Sequence, residues 1–306
     1  MKPFGVRKFR SLVVVGSFSV LTEFLMGFLG SILSGHLLGE DALAGVSLLS
    51  PVLSGVIFVS GLFGVGMGVN YALEMGRCLK RRAWELFTQG LWSVLIVGGL
   101  ITLIILLGGD AFIASFKPSE VVAVHARAYL RWFAPVALLE PLAVLLLNCC
   151  YADGDGRQCY VAYVAQIVAN LVISYLALKT GWGTAGCAFG ALVGYAVAVA
   201  ILSLHFFKPT NSFRLVRTFR PADTLRIVKS SFGDSCGFLC DSLLYLVLVK
   251  VFLARFGSDL LPVLSVIFAT LGFLEIFNGV GVAAQPIVSV YIGEKNTLGA
   301  RRVIVD

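Results

Sequence analysis

Five carboxylates lie inside long apolar stretches of this sequence, where a charged side chain is costly. They are Glu23, Glu140, Asp234, Asp241 and Glu275. In the hydrocarbon core of a bilayer an ionisable group needs a cavity or a partner, so its presence predicts a functional role by default. The other interpretation is structural, with each acid hydrogen-bonded inside a helix bundle.

The spacing of these acids indicates what they could bind. Asp234 and Asp241 are seven residues apart, which is two helical turns, and therefore share one face of a helix. Glu275 and Asn278 are three apart and adjacent on a helix surface. Carboxylate and amide oxygens suit sodium, and a carboxylate buried alone can also carry a proton. The candidate groups for binding an ion or a cationic substrate are Glu23, Glu140, Asp234, Asp241, Glu275 and Asn278.

Three prolines lie close to this chemistry. Pro135 and Pro141 bracket Glu140, and Pro286 follows Glu275 in the last apolar stretch. Because proline removes a backbone donor and clashes with the preceding turn, each is expected to bend its helix. We interpret the three as hinge or kink positions, and both a gating role and a purely structural bend stay open.

Other reaction chemistries find no support in the sequence. The seven cysteines show no CxxC and no Cys/His ligand spacing, and the three histidines are isolated. No nucleophile, base and orienting group occur together in a recognisable arrangement. The sequence therefore predicts that the protein is not an enzyme, needs no cofactor and binds no metal other than a coupling sodium ion.

The chain that positions these groups has the composition of a membrane protein. Hydrophobic residues make up 58% of it and charged residues only 13%, and the mean hydropathy is +0.92. A soluble domain carries about a quarter charged residues. Apolar stretches long enough to cross a bilayer as helices predict an all-α polytopic membrane protein. The eight predicted spans are 11–34, 44–70, 87–108, 131–151, 159–178, 185–207, 231–254 and 260–292.

Small residues predict where these helices approach one another. Gly64 and Gly68 are spaced four apart, and so are Gly186, Gly190 and Gly194. Glycines at this spacing line one stripe of a helix and let a neighbouring backbone come close. Both stripes are therefore predicted helix-packing surfaces.

The basic residues are distributed asymmetrically between the two ends of the spans. Eighteen Lys and Arg residues flank the spans on one side, and four, Lys117, Arg127, Lys179 and Arg255, flank them on the other. Under the positive-inside rule this distribution places both termini in the cytosol. The expected location is the plasma (inner) membrane, crossed several times with the lipid bilayer as partner. Topology accounts for the net charge of +7, and nucleic acid is not an expected partner.

The sequence also repeats across the spans. At a constant offset of 218, Gly39, Asp41, Leu43, Ser47 and Gly61 recur as Gly257, Asp259, Leu261, Ser265 and Gly279. At an offset of 217, Gly76 recurs as Gly293. The repeat unit is six spans, an even number, so both copies have the same orientation, as in parallel-repeat transporters. The predicted parts are a six-helix lobe at 1–207, a basic cytosolic inter-lobe loop at 208–230, and the start of an incomplete second lobe at 231–306.

Three segments resemble the multidrug and toxic compound extrusion (MATE) transporters, the MatE and DinF group. GHLLGEDALAGVSLLSPV, residues 35–52, resembles the junction of that family's helices 1 and 2. Residues 151–200, which begin YADGDGRQCYVAY, resemble its helix 5 and 6 region. NGVGVAAQPIVSVYIGEKNTLGARR, residues 278–302, resembles its helix 8 and the following loop. The resemblance implies twelve helices in two six-helix lobes, of which this chain would cover helices 1–8.

The resemblance also implies a function, which is a secondary antiporter that exports organic cations and other xenobiotics in exchange for Na⁺ or H⁺. One position departs from the family pattern. Relatives commonly carry an acid in helix 1 where this chain has Gly30, and the nearest acid here is Glu23. Two alternatives stay open: a flippase for lipid-linked precursors of the wider superfamily, and a truncated membrane protein that does not transport. The sequence indicates no oligomeric state.

The charge distribution predicts the side of the membrane that each junction reaches. In a chain without its seven native cysteines, the single changes Lys2→Cys and Ser212→Cys should be shielded from an impermeant thiol reagent in intact cells. Both should become labelled once the membrane is permeabilised. The change Glu40→Cys should be labelled in intact cells, because its junction lies outside. Labelling of the Lys2 and Ser212 positions from outside would contradict this topology.

Overall fold

The computed structural model describes residues 38–209, 211–217, 220–257, 263–264, 266–267, 270 and 278–305. Every regular element in these ranges is a helix, which confirms the predicted all-α class. The predicted span 11–34 with its Glu23 lies outside these residues, as do parts of span 260–292, among them Glu275.

The described helices are long and mostly apolar. They are α1 (Glu40–Leu48), α2 (Ser50–Gly76), α3 (Lys80–Ser115), α4 (Glu120–Phe133), α5 (Val136–Ala152), α6 (Gly156–Lys179), α7 (Thr184–Ser203), α8 (Pro221–Phe256), α9 (Asn278–Gly293) and α10 (Thr297–Val305). Five of them, α2, α3, α6, α7 with its 3₁₀ extension, and α8, are long and apolar enough to cross a membrane. Helices α4 and α5, bent by 45° at their junction, together form a sixth candidate span. Five of the predicted spans are therefore confirmed as membrane-length helices, whereas the predicted span 131–151 corresponds mainly to α5, the second helix of this bent pair.

Helix α4 was not predicted from the sequence. It begins where the Ser119 hydroxyl oxygen accepts a hydrogen bond of 3.4 Å from the N–H of Val122. Val122 and Ala126 lie on its buried face, while Arg127 is exposed. Such an amphipathic helix has too low a mean hydropathy to be read as an apolar span, although its periodicity of 3.6 is clear.

The predicted inter-lobe loop at 208–230 is partly helical. Helix α8 begins at Pro221, so the last part of that range belongs to it. Proline is preorganised for the first helical turn, and Asp223 in the same turn interacts favourably with the positive end of the helix dipole. Charged residues in this first part of α8 lower its hydropathy, which is why the range resembles a loop in sequence.

Helix α2 packs against α3, α5, α8 and α9. Its Gly64 and Gly68 face Val144 and Asn148 of α5 so closely that an added Cβ would overlap with both side chains. Two residues of α2 that are four positions apart thus contact two residues of α5 that are also four positions apart. This contact confirms the packing surface predicted from Gly64 and Gly68.

The second glycine stripe lies between α6 and α7, which pack along most of their lengths. The contacts are Gly186 with Ala177, Gly190 with Ser174, and Gly194 with Asn170. The Ser174 hydroxyl donates a hydrogen bond of 3.1 Å to Asn170 Oδ1, and both side chains are buried. The predicted packing role of this stripe is therefore confirmed, and its polar partners come from α6.

The two glycines that begin the sequence repeat share one unusual backbone conformation. Gly39, before α1, has φ 89° and ψ −178°, and Gly257, after α8, has φ 72° and ψ −163°. An extended backbone with positive φ is open almost only to glycine. Because the two residues are 218 apart, this agreement supports the repeat.

The later glycines of the repeat touch each other where α2 crosses α9. An added Cβ on Gly76 would overlap with the carbonyl oxygen of Val290, and one on Gly293 would overlap with the carbonyl oxygen of Leu73. Leu73 and Val290 are themselves 217 apart, the offset that relates the two glycines. Each helix therefore presents the same two positions to the other, which is the pattern of a local two-fold axis.

The α2–α9 crossing predicts that Gly76→Ala destabilises the protein. The new methyl group would overlap with a backbone carbonyl that no side-chain rotation can move, which costs about 1–3 kcal/mol. Thermal unfolding in detergent should show a lower melting temperature. The matched control is Gly108→Ala in α3, where an added Cβ meets nothing within 4 Å and Ala is the better helix former. Equal melting temperatures for the two variants would contradict the crossing.

Candidate functional site

Glu140 is the predicted acid that the structure places in a buried site. It lies in α5 with only 6% of its surface exposed, shortly after the break between α4 and α5. The break falls at Ala134 and Pro135, and the Thr102 hydroxyl donates a hydrogen bond of 3.0 Å to the Ala134 carbonyl. Pro141 lies inside α5. The bend therefore occurs beside Pro135, where the Ala134 carbonyl accepts both from the N–H of Ala137 and from Thr102 of α3.

The neighbour of Glu140 across the helix interface is Ser60 of α2. Its hydroxyl oxygen is 3.2 Å from Glu140 Oε1 and 3.0 Å from the carbonyl oxygen of Val56. A serine hydroxyl has one proton to donate and can also accept. Ser60 can therefore donate to an ionised Glu140, or donate to Val56 and accept a proton held by Glu140. The contact accommodates both protonation states of the acid.

The turn that follows Ser60 is wider than an α-helical turn. Residues Gly61–Val65 form a π-helical turn inside α2. Such turns are rare and are frequently found at functional sites. Gly61 contacts Ser235 of α8, whose hydroxyl is buried and has no hydrogen-bond partner among the described residues. The π-turn thus brings α2 between the acid of α5 and this buried hydroxyl of α8.

The other described acids occupy a different environment. Asp234 and Asp241 are exposed on the continuous helix α8, whose buried face carries Ile227, Ser231 and Val249. That buried face packs on α2 and α3, so the two aspartates share a side of α8 that the described helices leave open. Asn278 begins α9, while Glu23 and Glu275 lie outside the described residues. Pro286 falls within α9.

Charged contacts that the sequence analysis did not foresee tie α8 to the first helices at the predicted cytosolic side. Glu74, only 2% exposed, accepts a hydrogen bond of 2.6 Å from Arg226 of α8. Arg82 Nη1 of α3 donates one of 2.9 Å to Asp223 of α8. The basic and acidic residues are visible in the sequence, but their partners are about 140–150 positions away and no local pattern joins them.

Polar groups lie at two helix interfaces, that of α2 with α8 and α9 and that of α2 with α5. Helices α8 and α9 contact α2 with hydrogen bonds and close backbone approach, and Glu140 lies at the interface of α2 and α5. A buried acid beside a flexible hydroxyl can hold a proton, or supply an oxygen ligand to a small cation. Groups of three or more His, Cys, Asp or Glu side chains arranged to hold a metal are absent from the described ranges.

Comparison with known proteins identifies relatives. The sequence profile of the MatE family matches residues 17–176. Comparison with curated protein sequences gives no match. Among solved structures, the MATE multidrug transporter DinF-BH, determined in complex with a ligand, is 19% identical with a TM-score of 0.89, covering 99% of this chain and 70% of that chain.

Two further solved structures are similar. A MOP superfamily transporter from Pyrococcus furiosus Vc1 is 20% identical with a TM-score of 0.85, over 98% of this chain and 67% of that one. A MATE protein in the bent conformation is 21% identical with a TM-score of 0.81, over 99% and 70%. At these identities the likeness establishes the fold, which is that of MATE multidrug transporters. The resemblance found in the three sequence segments is confirmed.

If Glu140 binds the coupling ion, the stability of the protein should depend on that ion. A ligand present at about 100 times its Kd adds about 2.7 kcal/mol to the free energy of unfolding. Added Na⁺, or a lower pH if the ion is a proton, should therefore raise the melting temperature in detergent. Glu140→Gln should lose this response but keep most of its baseline stability, because the amide can still accept from Ser60.

The matched control is Glu120→Gln, the same chemical change at an exposed acid in the first turn of α4. It should respond to the ion as the unmodified protein does. An ion response that survives in full in Glu140→Gln would remove Glu140 from the site.

Proposed function

The chain belongs to the MatE family, and we propose that it acts as a secondary antiporter that exports organic cations in exchange for Na⁺ or H⁺. The family and the fold are those of transporters. The observation that carries the proposed coupling is the buried contact between Glu140 and Ser60, beside the π-turn of α2. The proposed location is the plasma membrane, with the N-terminus in the cytosol.

Coupling requires a group whose ion occupancy changes the balance between two conformations. An ion shifts such a balance only as far as it binds one conformation better than the other. Glu140 lies on α5 and Ser60 on α2, so a change in their separation changes the affinity of the site for a proton or Na⁺. The break at Pro135 and the π-turn at Gly61–Val65 place adaptable backbone on both sides of this contact.

The proposed substrates are amphipathic organic cations. Asp234 and Asp241 lie about 10 Å apart along α8, from a rise of about 1.5 Å per residue, and both are exposed. Two carboxylates on one side of an apolar helix attract a positive charge, and the apolar side chains around them suit an aromatic body. The related DinF-BH protein is described as a multidrug transporter in complex with a ligand. We extend the binding of small molecules of this kind to this chain as part of the proposal.

The contacts at the predicted cytosolic side fit a conformation closed on that side. The α2–α9 crossing at Gly76 and Gly293 leaves no space between the two backbones. The ion pair between Glu74 of α2 and Arg226 of α8 lies two residues before Gly76 on α2. Opening toward the cytosol requires both contacts to separate, as in the rocking of one repeat against the other.

Dye transport in everted membrane vesicles tests the proposal. Sodium and proton gradients are imposed separately, and uptake of a fluorescent organic cation is followed. One gradient should drive uptake, and the double variant Asp241→Asn, Glu275→Gln should lower the gradient-driven rate by about tenfold or more, because it removes two intramembrane charges.

The control variant is Asp110→Asn, which changes an exposed acid near the far end of α3. It should retain transport. Full gradient-driven uptake by the double variant would contradict the assigned acids. A correctly inserted protein that moves no dye under either gradient would instead support the non-transporting alternative.

A further inference from the structure

His205 is a fully buried histidine that the proposed transport cycle does not use. It follows α7 in the 3₁₀ turn Leu204–Phe207 and has 0% of its surface exposed. Its Nε2 is 3.0 Å from Asp153 Oδ2 and its Nδ1 is 3.1 Å from Asp155 Oδ2. Both aspartates come from the short turn between α5 and α6. Each ring nitrogen thus faces a carboxylate of its own.

This geometry makes the hydrogen bonds of the ring depend on its protonation state. An imidazole nitrogen without a proton is an acceptor, and an ionised carboxylate offers only acceptors. Both contacts are therefore hydrogen bonds only when His205 carries two ring protons and a positive charge. With Lys208 2.6 Å from Asp155, two cations then balance two carboxylates. Loss of one ring proton leaves a buried net negative charge and a lone pair against a carboxylate oxygen.

Asp153 also binds the chain segment that leads to α8. Asp153 Oδ2 accepts a hydrogen bond of 2.9 Å from the N–H of Ser212, and Asp153 Oδ1 accepts one from the Ser212 hydroxyl. The Tyr71 hydroxyl of α2 lies 3.4 Å from Asp153 Oδ1. The Phe213 ring packs on His205 with a centroid distance of 5.0 Å. His205 and Ser212 thus share one carboxylate as their common partner.

Helix α3 continues this attachment along the segment. Trp84 Nε1 donates a hydrogen bond of 2.6 Å to the Ser212 carbonyl, and the N–H of Val216 donates one of 3.1 Å to the Thr88 hydroxyl. The N–H of Arg220 donates one of 3.1 Å to the Gln89 side chain. The segment before α8 is therefore bound to the first helices at several points, among them the carboxylate of Asp153, whose side chain is 2% exposed.

The titratable groups that interact with His205 or with its two carboxylates come from several elements. In the described part of the chain they are Tyr71, Cys149, Asp153, Asp155, Cys159 and Lys208. Burial of the carboxyl by itself would raise the pKa of Asp155. Hydrogen bonds from Lys208, His205 and the Gln158 N–H outweigh this effect, so the net result is a lowered pKa. A lowered pKa means that ionised Asp155 stabilises the fold above its unfolded pKa, and that this contribution is lost as pH falls through the folded value. Asp155 is therefore ionised at neutral pH, as a partner for the ring.

We infer that His205 is a proton-binding site that fastens the segment 211–217 to the first six-helix lobe, so that a rise in pH on this side of the membrane loosens the segment. The protonated ring neutralises Asp153 and holds it where Ser212 binds. The neutral ring repels one carboxylate, and Asp153 then shifts or draws in water, which weakens its bond to the Ser212 N–H. Because this segment precedes α8, cytosolic pH controls how strongly the connection between the lobes is bound to the first lobe. The inference does not depend on the transported substrate.

Hydrogen exchange of the whole chain in lipid nanodiscs tests the inference. Protection of a peptide containing Ser212, corrected for intrinsic exchange, should fall about tenfold between about pH 5 and pH 8, the range in which histidine changes charge. His205→Gln should show the low protection at both pH values, because an amide that turns its NH₂ group to one carboxylate turns its acceptor oxygen to the other. His125→Gln, at a half-buried histidine in α4, should behave as the unmodified protein does.

Unchanged protection of the unmodified protein across this range would overturn the inference, as would a titration that survives in His205→Gln. If that variant does not fold, ¹⁵N spectra of histidine-labelled unmodified protein decide, since the sequence has only three histidines. The expected result is one ring that changes from imidazolium to neutral as the Ser212 peptide loses protection. Spectra in which no histidine does so would overturn the inference.

Discussion

The close approach of other helices to α2 is the constraint on which the rest of the structure depends. Where α2 carries glycine, a neighbour contacts its backbone directly: Gly64 and Gly68 meet α5, Gly61 meets α8 and Gly76 meets α9. In a membrane, helices gain no hydrophobic free energy by associating, so close packing and hydrogen bonding must hold them together. The small residues of α2 allow close packing and hydrogen bonding with α5 of the first lobe and with α8 and α9.

The polar contacts follow from that packing. Ser60 reaches Glu140, and Glu74 reaches Arg226, because the backbones on either side are already close. With no water in the bilayer core, a polar group that is brought inside needs such a partner. The result is an acid of α5 whose hydrogen bonding depends on the position of α2. That dependence is what the proposed coupling requires, since the helices that hold the proposed ion site also hold the proposed contact between the repeats.

Much of the fold could be predicted from the sequence, whereas most of the pairing could not. Hydropathy located the long helices, and the spacing of Gly64 and Gly68 located a contact, because both signals are local. The amphipathic helix α4 fell below the hydropathy of a span. The contact of Ser60 with Glu140 joins residues 80 apart, and that of His205 with Asp153 joins residues 52 apart. Such partners depend on which helices become neighbours, which a single sequence does not encode in any short window.

Cross-linking at the α2–α9 crossing tests the central claim, that two repeats meet there and must part for transport. Arg77 directly follows Gly76, and Glu294 directly follows Gly293. Both residues are exposed, they are 217 positions apart, and each is changed to Cys. In a background without native cysteines, a short bifunctional thiol reagent should join them and stop gradient-driven dye export, and cleavage of the linker should restore it. Failure to cross-link, or full export by the cross-linked protein, would contradict the account.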